Sequence, residues 1–119
     1  MRFLILPLMS IFFSVGASAQ HYDGCPVADV RFPPGSSETV ISGMIPAEGH
    51  LCFNMNVREG QQVAMTVLEG NNTIFTVYDV RDAQDDLTFA APSNMVQFLV
   101  GQLMRVVEPQ QFRLEITVR

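Results

Sequence analysis

Hydrophobic residues in this chain recur with a period of two. Leu51, Phe53, Met55 and Val57 alternate with Cys52, Asn54 and Asn56, and Val63, Met65 and Val67 alternate with Gln62, Ala64 and Thr66. Near the C-terminus Phe112, Leu114, Ile116 and Val118 alternate with Gln111, Arg113, Glu115 and Thr117. Successive side chains of a strand point to opposite faces, so these are strands with one buried and one solvated face. No segment of ten or more residues carries a helical period.

Turn residues divide the rest of the chain into similar pieces. Val30 and Phe32 suggest a short first strand, stopped by Pro33-Pro34-Gly35, which cannot continue a ladder. Ile41 and Ile45 fall on one face of a second strand, and Gly43 between them implies a bulge or a close backbone approach. Arg58-Glu59-Gly60-Gln61 reads as a hairpin turn with Gly60 at positive φ. Glu69-Gly70-Asn71-Asn72 is the next turn, and residues 73–80 read as a strand buried on both sides. An acidic loop over 79–86, a short strand through Leu87 and Phe89 to a turn at Ser93-Asn94, and a long apolar stretch over 95–107 interrupted by Gly101 precede the last strand. About eight short strands with turns at this spacing predict an all-β, antiparallel, jelly-roll-like sandwich forming a single domain over 30–119.

The N-terminus has a different character. Arg2, an uncharged apolar run over 3–15 and Ala17-Ser18-Ala19 follow the order of a secretory signal peptide over 1–19, with cleavage expected after Ala19. A membrane anchor is the alternative, but the run is shorter than the roughly 20 residues a spanning helix needs. Residues 20–29 are polar and turn-rich, and read as an irregular strap before the sandwich. The chain is therefore expected to be exported, soluble and periplasmic, without a membrane span once the signal is removed.

Two cysteines, Cys25 and Cys52, remain after cleavage, and in an oxidising compartment they most simply pair. Because Cys52 alternates with the apolar residues of its strand, the disulfide is expected to tie the strap across the outside of the sheet. Two lone cysteines offer no metal-ligand spacing. With Arg2 removed, six Arg stand against twelve Asp and Glu, a net charge near −6, and the chain contains no Lys. Such a surface disfavours nucleic acid and anionic membranes and would attract a cationic protein.

Catalytic chemistry has little to build on. His21 lies in the strap and His50 at the start of a strand, no nucleophile elbow marks a serine, and no base is paired with an orienting group. His50 reads as an exposed turn residue. Asp79, Asp82, Asp85 and Asp86 could offer oxygens to calcium, but they lack the loop-plus-glutamate pattern of an EF-hand, and a solvated loop is the simpler reading. The phenylalanines and methionines outside the signal fall mostly on inward strand positions, as core filling requires. Asn54, Asn56, Gln61 and Gln62 line the outer side of one expected hairpin, where they could meet a sugar or a protein or serve as ordinary surface polarity. No enzyme activity, cofactor or metal is expected.

Val30-x-Phe32-x-x-Gly35, Ser42-Gly43-x-Ile45 and Gly60-Gln61-x-Val63, with Leu103-Met104-Arg105 and the strand from Phe112 to Val118, resemble the periplasmic inhibitors of g-type lysozyme and their short exported relatives. That family shares a β-sandwich with bacterial pre-peptidase C-terminal domains. Two departures stand out: His50-Leu51-Cys52-Phe53 replaces a tyrosine-containing segment, and the loop before the last strand is short, leaving Arg105 as its one matching arginine. The resemblance implies a blocking mechanism against a lysozyme-type peptidoglycan hydrolase. Arg105 would enter the enzyme's cleft, with Ser42 and Gly43 shaping a neighbouring loop. An exposed rim charge is the plain alternative for Arg105. A cell-envelope module that binds a saccharide or a protein without inhibiting anything is the alternative for the whole domain.

Overall fold

A computed structural model describes residues 25–119 of the chain. The expected signal segment and residues 20–24 of the strap, His21 among them, lie outside the described residues. Nine strands form: β1 (Val27–Asp29), β2 (Glu38–Ile45), β3 (His50–Asn56), β4 (Gln62–Glu69), β5 (Thr73–Val77), β6 (Arg81–Ala83), β7 (Asp86–Ala90), β8 (Met95–Gln102) and β9 (Gln110–Val118). They build a five-stranded sheet in the order β1-β3-β8-β5-β6 and a four-stranded sheet in the order β2-β9-β4-β7. Every pairing is antiparallel except that of β1 with β3. The all-β sandwich expected from the alternation is the fold, and no helix occurs among the described residues.

The period-two residues meet between the two sheets. Met55, Phe75, Val77, Val96, Phe98 and Val100 from one sheet face Ile45, Val63, Met65, Phe112, Leu114 and Ile116 from the other, and all are essentially inaccessible to water. Phe53 and Phe98, opposite each other on β3 and β8, stack with ring centroids 5.2 Å apart. Each such side chain contributes about 1.5–3 kcal/mol by leaving water, which makes this layer the main source of stability.

Several sequence expectations need correction. The first strand is Val27–Asp29, not Val30 and Phe32, because β1 pairs in parallel with Cys52 to Asn54 once the disulfide brings the two segments together. The strap is thus partly a sheet edge and not wholly irregular. The turn at 58–61 is not a hairpin, since β3 and β4 belong to different sheets and the segment arches over the end of the sandwich. Gly60 has the expected positive φ of 89°. Strand β5 ends at Val77 and alternates between buried and half-buried residues, so it is not buried on both sides. The acidic segment 79–86 holds β6 and the first residue of β7, with Asp79 at a φ of 67°, a conformation that aspartate tolerates better than most residues.

Candidate functional site

Three connections meet at one end of the sandwich: 46–49 between β2 and β3, 70–72 between β4 and β5, and 103–109 between β8 and β9. Two side-chain amides tie them together. The Asn72 amide nitrogen donates to the Met104 carbonyl at 2.8 Å and to Gln102 Oε1 at 3.1 Å, while Asn72 Oδ1 accepts from the Met104 N–H at 2.9 Å. Gln102 Nε2 in turn donates to the carbonyls of Pro46 at 3.0 Å and Glu108 at 3.3 Å. The Leu103 N–H reaches the Asn72 carbonyl at 2.8 Å. A loop without ladder partners would leave these backbone groups to water, and the two amides instead fix its path.

What this loop presents is unusual for a solvent-facing turn. Leu103 is 45% exposed, Met104 66% and Val107 93%, with Arg105 exposed between them. No ion pair with Arg105 is formed by the described residues, so its guanidinium is available. Beside the loop lies an open cleft of about 280 Å³ lined by Ala47, Glu48, Gly49, Gln102, Leu103, Met104 and Arg105. This is at or below the lower end of small-molecule pockets. An apolar, arginine-bearing protrusion is better suited to entering a partner's concavity than to enclosing a ligand.

Arg105 therefore sits on this rim, but Ser42 and Gly43 do not line a loop. Both lie in the middle of β2, paired with Arg113 and Phe112 of β9. Ser42 points outward, whereas Gly43 faces the core, where a Cβ would lie 3.5 Å from Phe112 Cε1 and 3.7 Å from Leu51 Cδ1. Neither reading of Gly43 holds: the β2–β9 register is continuous, which removes the bulge, and a Cβ would meet only side-chain atoms at ordinary contact distance, which removes the close backbone approach. The anchoring pair Asn72 and Gln102 went unrecognised in the sequence. The available hint was a polar residue next to Gly101 at the close of an apolar strand.

The disulfide joins Cys25 to Cys52 with a Cα separation of 6.1 Å, within the usual span. Cys52 lies outside the core cluster formed by its strand neighbours, yet it is only 1% exposed. Cys25, His50 and Cys52 are the one set of three potential metal ligands among the described residues, and two of them are spent in the disulfide. The four aspartates of 79–86 form no such set there, and Asp82 accepts instead from the Thr76 hydroxyl at 2.8 Å. His50 is exposed as expected, but as the first residue of β3 and not in a turn. The four outer polar residues do not share a hairpin: Asn54 and Asn56 belong to β3, Gln62 to β4 in the other sheet, and Gln61 accepts from the Arg58 N–H within the arch at 2.7 Å. No helix among the described residues is long and apolar enough to cross a membrane.

No family model matches the sequence. No curated protein sequence matches it either. Solved structures do match. The crystal structure of Aeromonas hydrophila PliG, a periplasmic lysozyme inhibitor of g-type lysozyme, superposes with a TM-score of 0.70 at 15% identity over 78% of this chain and 96% of that one. Salmonella Typhimurium PliG gives 0.65 at 16% identity over 82% and 100%. The pre-peptidase C-terminal domain of a Bacillus anthracis collagenase gives 0.52 at 11% identity over 83% and 100%. This chain thus has the β-sandwich fold of the PliG inhibitors, shared more distantly with a pre-peptidase C-terminal domain.

Proposed function

We propose that this chain is an exported periplasmic protein that inhibits a lysozyme-type peptidoglycan hydrolase by seating the loop at 103–109 over the enzyme's active-site cleft. The observation that carries this reading is the loop itself: apolar residues and an unpaired arginine held out from the domain by Asn72 and Gln102. Glycoside hydrolases of this kind work with carboxyl groups flanking the scissile bond. A guanidinium can meet such a carboxylate with two parallel charge-assisted hydrogen bonds, while Leu103, Met104 and Val107 cover apolar ground around it. Ser42 and Gly43 contribute through β2, which delivers the 46–49 turn to the rim. The excess of acidic residues elsewhere would speed encounter with a cationic hydrolase. The PliG fold is consistent with this role and with export.

The test is lysis of peptidoglycan by g-type, c-type and i-type lysozymes with and without a slight molar excess of the protein. Protection against one class supports the reading and names the target. Undiminished lysis by all three would overturn it and leave a non-inhibitory envelope-binding module, to be pursued by co-purification from the envelope.

A further inference from the structure

Among the described residues the two sheets have four free edges, and three of them are blunted. β1 and β6 are three residues long, and β7 is five residues long and begins at Asp86. The fourth edge, β2, runs for eight residues with no proline, no bulge and a single charge, Glu38, at its start. Sheet proteins normally shorten, charge, kink or cover an edge of that length, because its unpaired N–H and C=O groups invite another strand.

The ladder shows which groups are free. The Val118 N–H donates to the Ser37 carbonyl, so the odd residues of β2 direct their backbone groups to β9 and the even ones direct theirs outward. Of the even residues, Glu38 is already satisfied: its N–H donates to Ser36 Oγ at 3.2 Å, and the Ser36 hydroxyl donates to its carbonyl at 3.0 Å. Position 46 is a proline with no N–H to offer. The outward-facing groups of Val40, Ser42 and Met44 remain, flanked on both sides by residues that cannot extend a ladder.

We infer that this protein self-associates through β2, with a second copy pairing antiparallel about a two-fold axis at Ser42. In that register Val40 lies opposite Met44 of the second copy and Met44 opposite its Val40. These are the two exposed apolar residues of the strand, at 41% and 56% exposure. Ser42 meets Ser42, and Glu38 falls opposite Pro46, where pairing stops. On the inward face Ile41 falls opposite Gly43, which leaves room for it. Shifting the pairing by two positions would set Glu38 opposite Met44 and lose the apolar match, so the side-chain pattern selects the register. The interface is self-complementary, as a two-fold contact must be. It joins two four-stranded sheets into one and does not depend on the inhibitor reading.

The test is the mass of the exported protein in solution, by light scattering or sedimentation, between about 1 µM and 1 mM, the range of affinities that small interfaces reach. The expected result is a rise from one chain mass to two. Ser42→Pro removes the central outward N–H without touching the β2–β9 ladder, and is expected to weaken association at least about tenfold. Val40→Glu with Met44→Glu sets like charges opposite each other and should leave a monomer. Val40→Lys with Met44→Glu should restore a dimer that dissociates with added salt. A mass of one chain throughout the range, or a dimer indifferent to both Ser42→Pro and the paired glutamates, would overturn the inference.

Discussion

The two ends of the sandwich are closed by the same device and differ in what they display. At one end the arch over 57–61 is held by Asn94, whose carbonyl accepts from the Val57 N–H at 3.0 Å and whose Oδ1 accepts from the Glu59 N–H at 3.0 Å. There the Gly60 N–H also reaches the Ala91 carbonyl at 2.9 Å. At the other end Asn72 and Gln102 hold the loop at 103–109. At the first end the residues left exposed on the arch and on the turn at 92–94 are Arg58, Glu59, Gly60, Pro92, Ser93 and Asn94, an ordinary solvated turn surface, with Met95 at the start of β8 exposed beside them. At the second they include Leu103, Met104 and Val107. Backbone satisfaction alone cannot separate a closing turn from a contact surface. Apolar side chains held in water by a well-anchored loop can.

The largest effect expected at the loop-bearing end comes from the disulfide. Cys25 sits against the start of β3, with its sulfur 3.5 Å from the His50 carbonyl. Replacing both cysteines with alanine releases a constraint across a sequence separation of 27 and should cost about 3.5 kcal/mol in urea unfolding. It should also fray β1, visible as rapid amide exchange in residues 27–29. An unchanged unfolding midpoint would mean that β1 is held by its ladder alone.

A pair of glycines compares the ends directly. Gly70, at a φ of 117°, has no room for a side chain, because a Cβ would collide with the Thr73 hydroxyl and lie 3.1 Å from the Gln111 carbonyl oxygen. Gly60, at 89°, faces open space. Gly70→Ala should therefore combine backbone strain with overpacking, about 3 kcal/mol in all, whereas Gly60→Ala carries the strain alone at about 1 kcal/mol. Equal losses would show that the loop-bearing end relaxes more easily than its packing implies.

The amides should separate next. Asn72→Ala strands the N–H and the carbonyl of Met104 and should cost about 2 kcal/mol, against about 1 kcal/mol for Asn94→Ala, which loses a single side-chain bond. Only the first should also speed exchange of the Met104 amide and weaken lysozyme inhibition. Inhibition lost to the same degree in both variants would trace to general destabilisation and not to the loop.

How much of this was visible beforehand depends on the range of the interaction responsible. The alternation of Phe112, Leu114, Ile116 and Val118 is a local signal, and it placed β9 and its buried face correctly. Turn glycines are local too, so Gly60 was legible as a residue of positive φ. Whether a turn joins neighbours in one sheet or crosses between sheets is decided by the strands that compete for each edge. β3 pairs with β8 at sequence separations of 39 (Asn56 with Met95) to 51 (His50 with Gly101) and not with β4, and nothing near Gly60 encodes that choice. β1 was missed for the same reason: Val27–Asp29 has no alternation of its own, and its strand partner, Cys52 to Asn54, lies far away in sequence beside the disulfide to Cys25. At the candidate site Arg105 was singled out by the family resemblance and not by any local pattern, whereas the roles of Asn72 and Gln102 arise from a meeting of three loops distant in sequence.

The arginines supply the smallest stability effect and the sharpest contrast between the ends. Arg58 and Arg105 are both exposed, one on each closing loop. Truncating either side chain to alanine should change stability by less than about 0.5 kcal/mol, because neither packs in the core. If the loop at 103–109 enters a hydrolase cleft, Arg105→Ala should weaken inhibition at least about tenfold while Arg58→Ala leaves it intact, since a desolvated guanidinium–carboxylate contact is worth far more than an exposed one. Titrating lysozyme activity against each variant measures both. Equal inhibition by the two variants and the parent protein would remove Arg105 from the contact and leave the apolar residues Leu103, Met104 and Val107 to account for binding.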